Sequence, residues 1–139
     1  MTLRYLLDTN ILAEPLRPQP NARILDHLKR HQDEIALASV VWHEMWFGCY
    51  RLPPSARRSA IETYLTQVVA PSVSILPYDQ TAASWHAAER ARLTAVGKTP
   101  PFADGMIASI AKTNNLVLVT INLEDFRGFQ GLLCVSWQE

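Results

Sequence analysis

Five oxygen-bearing side chains stand beside apolar segments of the sequence, in positions where a carboxylate is costly. Asp8 closes the run "RYLLD", Glu44 lies within "SVVWHEMWFG", and Asp104 lies within "PPFADGMIAS". Asn122 and Asp125 follow the run "LVLVT". Taking an unpaired carboxylate out of water costs on the order of several kcal/mol. Each buried acid therefore needs a proton, a cationic partner or a metal ion.

Each of these residues, taken alone, also has an ordinary structural interpretation. Asp8 could cap a turn, Glu44 could pair with one arginine, and Asn122 with Asp125 could form a helix-capping pair. Taken together, three or four carboxyl groups at one edge would raise each other's pKa unless a divalent cation compensates them. Because no His/Cys set accompanies these oxygen ligands, Mg²⁺ or Mn²⁺ fits better than zinc.

The elements that must position these side chains alternate between short apolar runs and longer helical patterns. The apolar runs predict strands at 4–8, 35–39, 73–79, 116–120 and 132–136. Helical spacing occupies 20–33, 40–50, 55–69, 80–96 and 102–114. This alternation predicts an α/β sandwich, with a mainly parallel five-stranded sheet covered by helices on both faces. In such a sheet the ligand site lies outside the carboxyl ends of the strands, where Asp8 and Asn122 stand.

Length and composition predict one globular domain that spans residues 1–139. Thirteen basic residues balance thirteen acidic ones, and 48% of the chain is hydrophobic. Without a net positive field, binding to nucleic acid requires a local basic patch or a metal ion. We expect Cys49 and Cys134 to be free and buried, as in a reducing compartment. Neither a membrane span nor a secretory signal is recognisable, so we expect a cytoplasmic protein.

Other enzyme signatures are absent from the sequence. It contains no GxSxG, GxxxxGK[ST] or GxGxxG motif, which leaves a serine hydrolase, a P-loop protein and a dinucleotide-binding protein without support. The four histidines lie within helical patterns, so a catalytic histidine is not favoured.

Four segments together resemble PIN-domain proteins, and more narrowly the VapC-type toxin ribonucleases of bacterial toxin–antitoxin pairs. These segments are "LLDTNIL" at 6–12, "SVVWHEMWFG" at 39–48, "FADGMIASIA" at 102–111 and "LVTINLEDF" at 118–126. The resemblance implies that Asp8, Glu44 and Asp104 form an acidic metal site. Many relatives carry an acid where this chain has Asn122, and Asp125 is the nearest replacement.

The resemblance also implies a chemistry, which is Mg²⁺-dependent hydrolysis of RNA phosphodiester bonds, with Mn²⁺ able to substitute. We expect Asp8 and Asp104 to bind the metal directly and Glu44 to hold the metal or its water. Asn122 or Asp125 would take an outer or second-metal position, and Thr120 would orient one of the ligands. Candidates for phosphate binding are Arg51, Arg57, Arg58, Arg90, Arg92 and Lys98.

The resemblance further implies a small antitoxin as partner, with a homodimer or a hetero-oligomer as the assembly. Trp46, Phe47, Tyr50 and Leu52 offer a large apolar surface on the helix of Glu44, which we expect to form a groove for that partner. The alternative is that these aromatic residues simply pack in the core.

Two other functions are compatible with a small α/β sandwich. A receiver-like phospho-acceptor module needs paired acids after the first strand and a lysine after a late strand, and this chain has neither. A PIN-like fold that binds RNA or protein without catalysis is the second alternative, and Asn122 is the feature that favours it.

Overall fold

The short apolar runs of the sequence form one parallel sheet in the computed structural model, which describes residues 2–139. The strands are β1 (Tyr5–Leu7), β2 (Ile35–Ala38), β3 (Ser74–Leu76), β4 (Val117–Val119) and β5 (Cys134–Val135). Their order across the sheet is β3-β2-β1-β4-β5, and every neighbouring pair is parallel. All five predicted strands are confirmed.

Helices connect the strands and flank the sheet, as the predicted α/β class requires. They are α1 (Thr9–Leu12), α2 (Ala22–Arg30), α3 (Ser39–Tyr50), α4 (Ala56–Thr63), α5 (Ala70–Ser72), α6 (Gln80–Ala95), α7 (Phe102–Thr113) and α8 (Leu123–Phe126). A 3₁₀ turn at Glu14–Leu16 follows α1, and a π-helical segment at Tyr64–Val69 joins α4 to α5.

Two helical details differ from the sequence prediction. The predicted helix at 55–69 continues through Pro71 to Ser72, because the π-helical turn before Pro71 accommodates a residue that cannot donate a backbone hydrogen bond. The short helix α1 was not predicted, because four residues are too few for a visible hydrophobic period.

Two helix N-termini differ in how they are capped. Asp79 caps α6, since its carboxylate accepts a hydrogen bond from the Ala82 amide at 2.9 Å. Helix α3 has no side-chain cap: it already includes Ser39, and Ala38 occupies the cap position without a side-chain hydrogen bond.

The cysteines are both free, as expected for a reducing compartment. Cys49 is buried in α3, but Cys134 is only partly buried, which corrects the expectation that both are enclosed. The reason is that Cys134 lies in β5, a two-residue strand at the edge of the sheet.

The central strand β1 marks the point where the order of the sheet reverses. From β1 the chain proceeds to β2 and β3 on one side, and it later adds β4 and β5 on the other. Leu6 and Leu7 in β1 are fully buried, so the strand end that carries Asp8 is embedded in the core. Ligands of open parallel sheets bind at such a switch point.

Helices α6 and α7 pack closely because α7 has a glycine at their contact. A methyl group built on Gly105 would lie 2.0 Å from Nε2 of His86, which is a buried side chain of α6. The imidazole is fixed from its other side, where Nδ1 lies 2.7 Å from the hydroxyl of Tyr78. Gly105 therefore allows close packing of α7 against α6.

None of the helices within residues 2–139 combines the length and the apolarity that crossing a lipid bilayer requires.

This packing gives a prediction for stability. We expect Gly105→Ala to lower the free energy of unfolding by about 1–3 kcal/mol, because the added methyl must displace a buried, hydrogen-bonded imidazole. Urea denaturation measures the change. The matched control is Gly48→Ala in α3, where a Cβ would meet nothing within 4 Å. That control should be neutral or more stable by up to about 1 kcal/mol, since alanine favours a helix over glycine. Equal effects of the two substitutions would contradict the packing argument.

Candidate carboxylate site

Asp8 is the most firmly held acid of the site. It lies directly after β1, is 8% exposed, and its backbone N–H donates to the carbonyl of Val119 at 2.9 Å. Its Oδ1 accepts a hydrogen bond from the Thr9 amide at 2.8 Å, at the start of α1. The capping interpretation of Asp8 is therefore correct, but it uses only one of the two carboxylate oxygens.

The second oxygen of Asp8 joins the ends of β1 and β4. The buried Thr120 hydroxyl donates to Oδ2 at 2.8 Å, and the same hydroxyl accepts from the Asn122 amide at 3.0 Å. The expected orienting contact of Thr120 is thus present. Asn10 adds a second bridge: its Nδ2 donates to Asp8 at 3.4 Å, and its Oδ1 accepts from the Ile121 amide at 3.4 Å.

Asn10 is the residue that sequence reasoning did not assign to the site. The signal is present in "DTN", where Asn10 follows Asp8 by two residues. Its bridge to Ile121 depends on β1 and β4 being neighbours, which the local sequence does not specify.

Asp104 stands in the first turn of α7 and is partly buried. Its pKa is raised to about 6 from an ordinary 3.8, first by burial and then by the negative charges of Asp8 and Asp125. The pKa of Asp8 is also raised, mainly by burial and to a smaller extent by Asp125, against the lowering effect of its hydrogen bonds. These shifts show that Asp8, Asp104 and Asp125 are close enough to repel one another.

No cationic side chain offsets this repulsion. Seven ion pairs occur within residues 2–139, and none of them includes Asp8, Asp104 or Asp125. The helix N-terminus favours Asp104 by only about 0.3–1 kcal/mol, which is less than the cost of burying a charge. A divalent cation with oxygen ligands fits this arrangement of uncompensated carboxylates.

The carboxylates are not preassembled into a coordination cage. Among the described residues 2–139, no three His, Cys, Asp or Glu side chains approach closely enough to hold a metal ion together. Mg²⁺ keeps several waters and is usually held by one or two carboxylates, so binding it does not require a cage of three.

Glu44 lines a different cavity from Asp104 and Asp125. It is partly buried and lines a cavity of about 670 Å³, together with Thr9 of α1 and Met45 of α3. It is not among the groups that shift the pKa of Asp8 or Asp104. Glu44 does not pair with an arginine, since none of the ion pairs within residues 2–139 includes it. The helix α3 is also less buried than expected, with His43, Phe47 and Tyr50 exposed.

Asn122 and Asp125 occupy different positions in the site. Asn122 precedes α8 in the cap position, but its side chain makes no capping hydrogen bond. Asp125 lines a second cavity, of about 430 Å³, which Asp104 also lines. Asp125, unlike Asn122, carries a charge that acts on both Asp8 and Asp104.

The candidate phosphate-binding residues fall into three groups. Arg51 and Arg57 line the cavity of Glu44, and Lys98 lines the cavity of Asp104. Arg58 pairs with Glu62, and Arg92 pairs with Glu89. The guanidinium of Arg90 lies over the ring of Phe102.

The prediction of a partner-binding groove on the helix of Glu44 is only partly correct. Phe47 and Tyr50 are exposed, at 51% and 61%, so the core-packing alternative is wrong for them. The groove beside them is lined by a different face of α3, which includes Met45 and Gly48, and by Leu52 just after the helix. Of the four residues proposed for this groove, Leu52 alone is among the residues that line the cavity, because adjacent helical residues point in different directions.

Comparison with known proteins adds independent information. The PIN domain family profile matches residues 5–130. Toxin FitB of Neisseria gonorrhoeae is 33% identical over 124 residues, which cover 87% of this chain and 89% of that protein. The tRNA(fMet)-specific endonuclease VapC of Shigella flexneri is 28% identical over 97% of this chain and 98% of its own. The crystal structure of FitAcB from Neisseria gonorrhoeae superposes with a TM-score of 0.86 at 31% identity, covering 96% of this chain and 97% of that chain.

The raised pKa of Asp104 predicts how stability depends on pH. The folded protein binds this proton more tightly than the unfolded chain, so stability falls as pH rises from 3.8 through about 6. In EDTA at neutral pH, Asp104→Asn should stabilise the fold by on the order of 1 kcal/mol, after allowance for solvent screening. It should also flatten the decline in stability over this pH range.

Urea denaturation of the two proteins at a series of pH values measures this effect. Asp33→Asn is the matched control, because Asp33 is exposed and belongs to none of the ion pairs found in residues 2–139. If the Asp104 variant were no more stable than the wild type at neutral pH, the repulsion argued here would be absent.

Proposed function

The chain belongs to the PIN-domain family, and from this membership we propose that it is a divalent-metal-dependent endoribonuclease that acts as the toxin of a toxin–antitoxin pair. Dependence on a divalent metal is general for the nucleases of this family, and Mg²⁺ is the ion proposed, with Mn²⁺ as its substitute. The observation that carries the proposal is the group of aspartates at the switch point of the sheet: burial and neighbouring negative charge raise the pKa of Asp8 and of Asp104, and no ion pair within residues 2–139 includes them. Relatives named as a toxin and as a tRNA-specific endonuclease support the same function.

Asp8 and Asp104 are the proposed metal ligands. Asp8 offers a fixed carboxylate, because Thr9, Thr120 and Asn10 restrict its rotation. Asp104 approaches from α7, and its carboxyl group must lose its proton before it can bind a cation. When bound, a divalent cation polarises the phosphoryl group and lowers the pKa of a water molecule.

The remaining acids have supporting roles in this proposal. Asp125 is the proposed fourth acid in preference to Asn122, because it shares a cavity with Asp104 and its charge reaches both ligands. Its carboxylate can accept the proton of the attacking water, whose oxygen then bonds to phosphorus as the P–O ester bond breaks. Glu44 would hold a metal-associated water from the opposite side, next to Thr9. Residues 1–139 would act as one nuclease domain, in the cytoplasm.

Metal-dependent cleavage of RNA tests this function. Purified protein should cut an RNA oligonucleotide in Mg²⁺ or Mn²⁺, lose the activity in EDTA, and leave DNA of the same sequence intact. Asp104→Asn should reduce the cleavage rate by at least about 100-fold, because it removes a ligand from the metal site. Glu44→Gln should also reduce it.

Asp104→Asn is a cleaner variant than Asp8→Asn. The carboxylate of Asp8 accepts hydrogen bonds at both oxygens, and an asparagine would present an N–H to one of these donors. Equal cleavage by wild type and by the Asp104 variant, or cleavage that persists in EDTA, would reject the metal-site mechanism. RNA binding without cleavage would instead support the non-catalytic alternative.

A small antitoxin is the proposed protein partner, and the cavity next to Glu44 is its proposed docking groove. The walls include Leu16, Met45 and Ile61, and Arg17, Arg51 and Arg57 stand at the same cavity. An apolar segment of the partner would lie along this groove, and a basic side chain of the partner could reach Glu44. The partner would then inhibit by charge substitution and by blocking RNA. The assembly would be a homodimer or a hetero-oligomer that includes the antitoxin.

Filling the groove tests this partner. Gly48 lines the cavity, and a Cβ at this position would meet nothing within 4 Å, so we expect Gly48→Leu to extend into the open cavity and to fold normally. We expect it to weaken binding of the small protein encoded next to this gene by at least about 10-fold, since the leucine occupies the space of an apolar anchor. Titration calorimetry, together with suppression of RNase activity, measures the loss.

Ala88→Leu provides a matched control, because it adds the same side chain to an exposed position of another helix, α6. Binding of the neighbouring gene product should be normal in this variant. If Gly48→Leu also bound that protein with wild-type affinity, the groove would not be the docking site.

A further inference from the structure

The cavity that contains Asp104 combines acidic and basic side chains. Its volume is about 430 Å³, and its charged walls are formed by Asp104, Glu124, Asp125, Lys98 and Arg127. Leu93, Phe129 and two prolines supply the apolar part of the lining. Charges in a cleft with low-dielectric walls act more strongly on a ligand than charges on an open surface.

The two cationic side chains of this cavity differ in whether they form an ion pair. Arg127 is paired with Glu124, with 2.6 Å between Nη1 and Oε1, so its charge is locally balanced. Lys98 belongs to none of the ion pairs formed within residues 2–139. Its ammonium group is therefore available to a ligand that enters the cavity.

The backbone of Lys98 is held in place by the way in which α6 ends. Gly97 has a φ of 74°, the left-handed conformation that ends many helices. The Gly97 amide donates to the carbonyl of Thr94 at 3.0 Å, and the Lys98 amide donates to the carbonyl of Leu93 at 2.8 Å. This pair of bonds is a Schellman motif, which fixes the direction in which the chain leaves the helix.

The rest of the segment 97–101 is also constrained. The hydroxyls of Thr94 and Thr99 lie 2.7 Å apart and form a hydrogen bond across the turn. Pro100 and Pro101 then restrict the backbone up to the start of α7, which carries Asp104. A short and restrained connection thus presents Lys98 and Asp104 at the same cavity. The backbone of Lys98 therefore needs little further ordering when its side chain binds a ligand.

We propose that Lys98 binds a backbone phosphate of the RNA substrate next to the carboxylate site. The inference rests on the proposed ribonuclease function and deepens it by naming a substrate-positioning residue. With three acids and two bases, the cavity walls alone have a net charge of −1, which repels RNA. Each bound divalent cation adds two positive charges, and Lys98 then contributes to a positive field that a phosphate can enter.

The other basic candidates are less suited to this task. Arg92 is engaged by Glu89 and also donates to the carbonyl of Gly128 at 2.8 Å. Arg51 and Arg57 line the separate cavity that contains Glu44. Of the two cations that line the cavity shared by Asp104 and Asp125, Lys98 is therefore the one that forms no ion pair within residues 2–139.

The test compares Lys98→Met with the wild type, using a fluorescein-labelled single-stranded RNA. Methionine keeps most of the side-chain length and removes the charge. We expect KM for RNA cleavage to rise about 10-fold with kcat nearly unchanged, as for a lost charge-assisted hydrogen bond to the bound substrate. Fluorescence anisotropy with Ca²⁺ in place of Mg²⁺ should show a similar loss of affinity. The slope of log Kd against log salt should fall by about 0.7.

Two control variants sharpen the comparison. Lys98→Arg should restore most of the affinity, because it restores the charge. Lys29→Met removes the same charge from an exposed position of α2 and should leave KM, Kd and the salt slope unchanged. The Schellman bond uses the backbone of residue 98, so all the Lys98 variants should keep the wild-type melting temperature.

Several outcomes would overturn the inference. They are an unchanged affinity and salt slope in Lys98→Met, an equal loss in Lys29→Met, or a loss confined to one RNA sequence, which would indicate a base contact instead of a phosphate contact. Failure of the proposed function is distinguishable, because it appears as wild-type protein that binds the RNA without cleaving it. The binding measurements still decide the role of Lys98 in that case.

Discussion

The hydrogen bond from Thr120 to Asp8 is the contact on which the geometry of the site depends. It joins the carboxyl ends of β1 and β4, the two strands between which the sheet reverses its order. The bond is buried, so neither partner can be removed without leaving a polar group unsatisfied. The ends of the same two strands are also joined by the hydrogen bond from the Asp8 amide to the Val119 carbonyl and by the bridge through Asn10. A rigid acid thus stands at the one edge where a parallel sheet exposes a ligand site.

The second acid is positioned by packing between helices. Asp104 precedes Gly105, and the absent side chain of that glycine lets α7 approach His86 of α6. His86 is itself fixed by Tyr78, so the first turn of α7 has a firm support. Helix α6 ends just before the segment that carries Lys98, and α7 begins just after it. One packing contact therefore influences a proposed metal ligand and a proposed phosphate-binding residue.

The proposed site is maintained at a cost in stability. Burial and neighbouring negative charge raise the pKa of both Asp8 and Asp104, and none of the ion pairs in the described chain reaches them. Elsewhere the fold compensates a buried acid in the usual way. Glu14, which is 2% exposed, accepts hydrogen bonds from Arg17 and from the Asn21 amide. The contrast with Glu14 is what makes the aspartates candidates for a functional role.

The sequence by itself determined the class of fold and most of the candidate residues of the site. Apolar runs of five to seven residues located all five strands; the reason is clearest for the central strands β1, β2 and β4, which are buried on both faces and therefore apolar. Asp8 and Asp125 were identified as acids that follow a strand, and Asp104 as an acid within an apolar helix. Only the tertiary structure decided which of them interact. It placed Glu44 at a different cavity from Asp104 and Asp125, brought Asn10 against Ile121, and placed the groove on a different face of α3. These outcomes depend on strand order and helix rotation, which arise from contacts between residues far apart in the chain and leave no periodic signal in the local sequence.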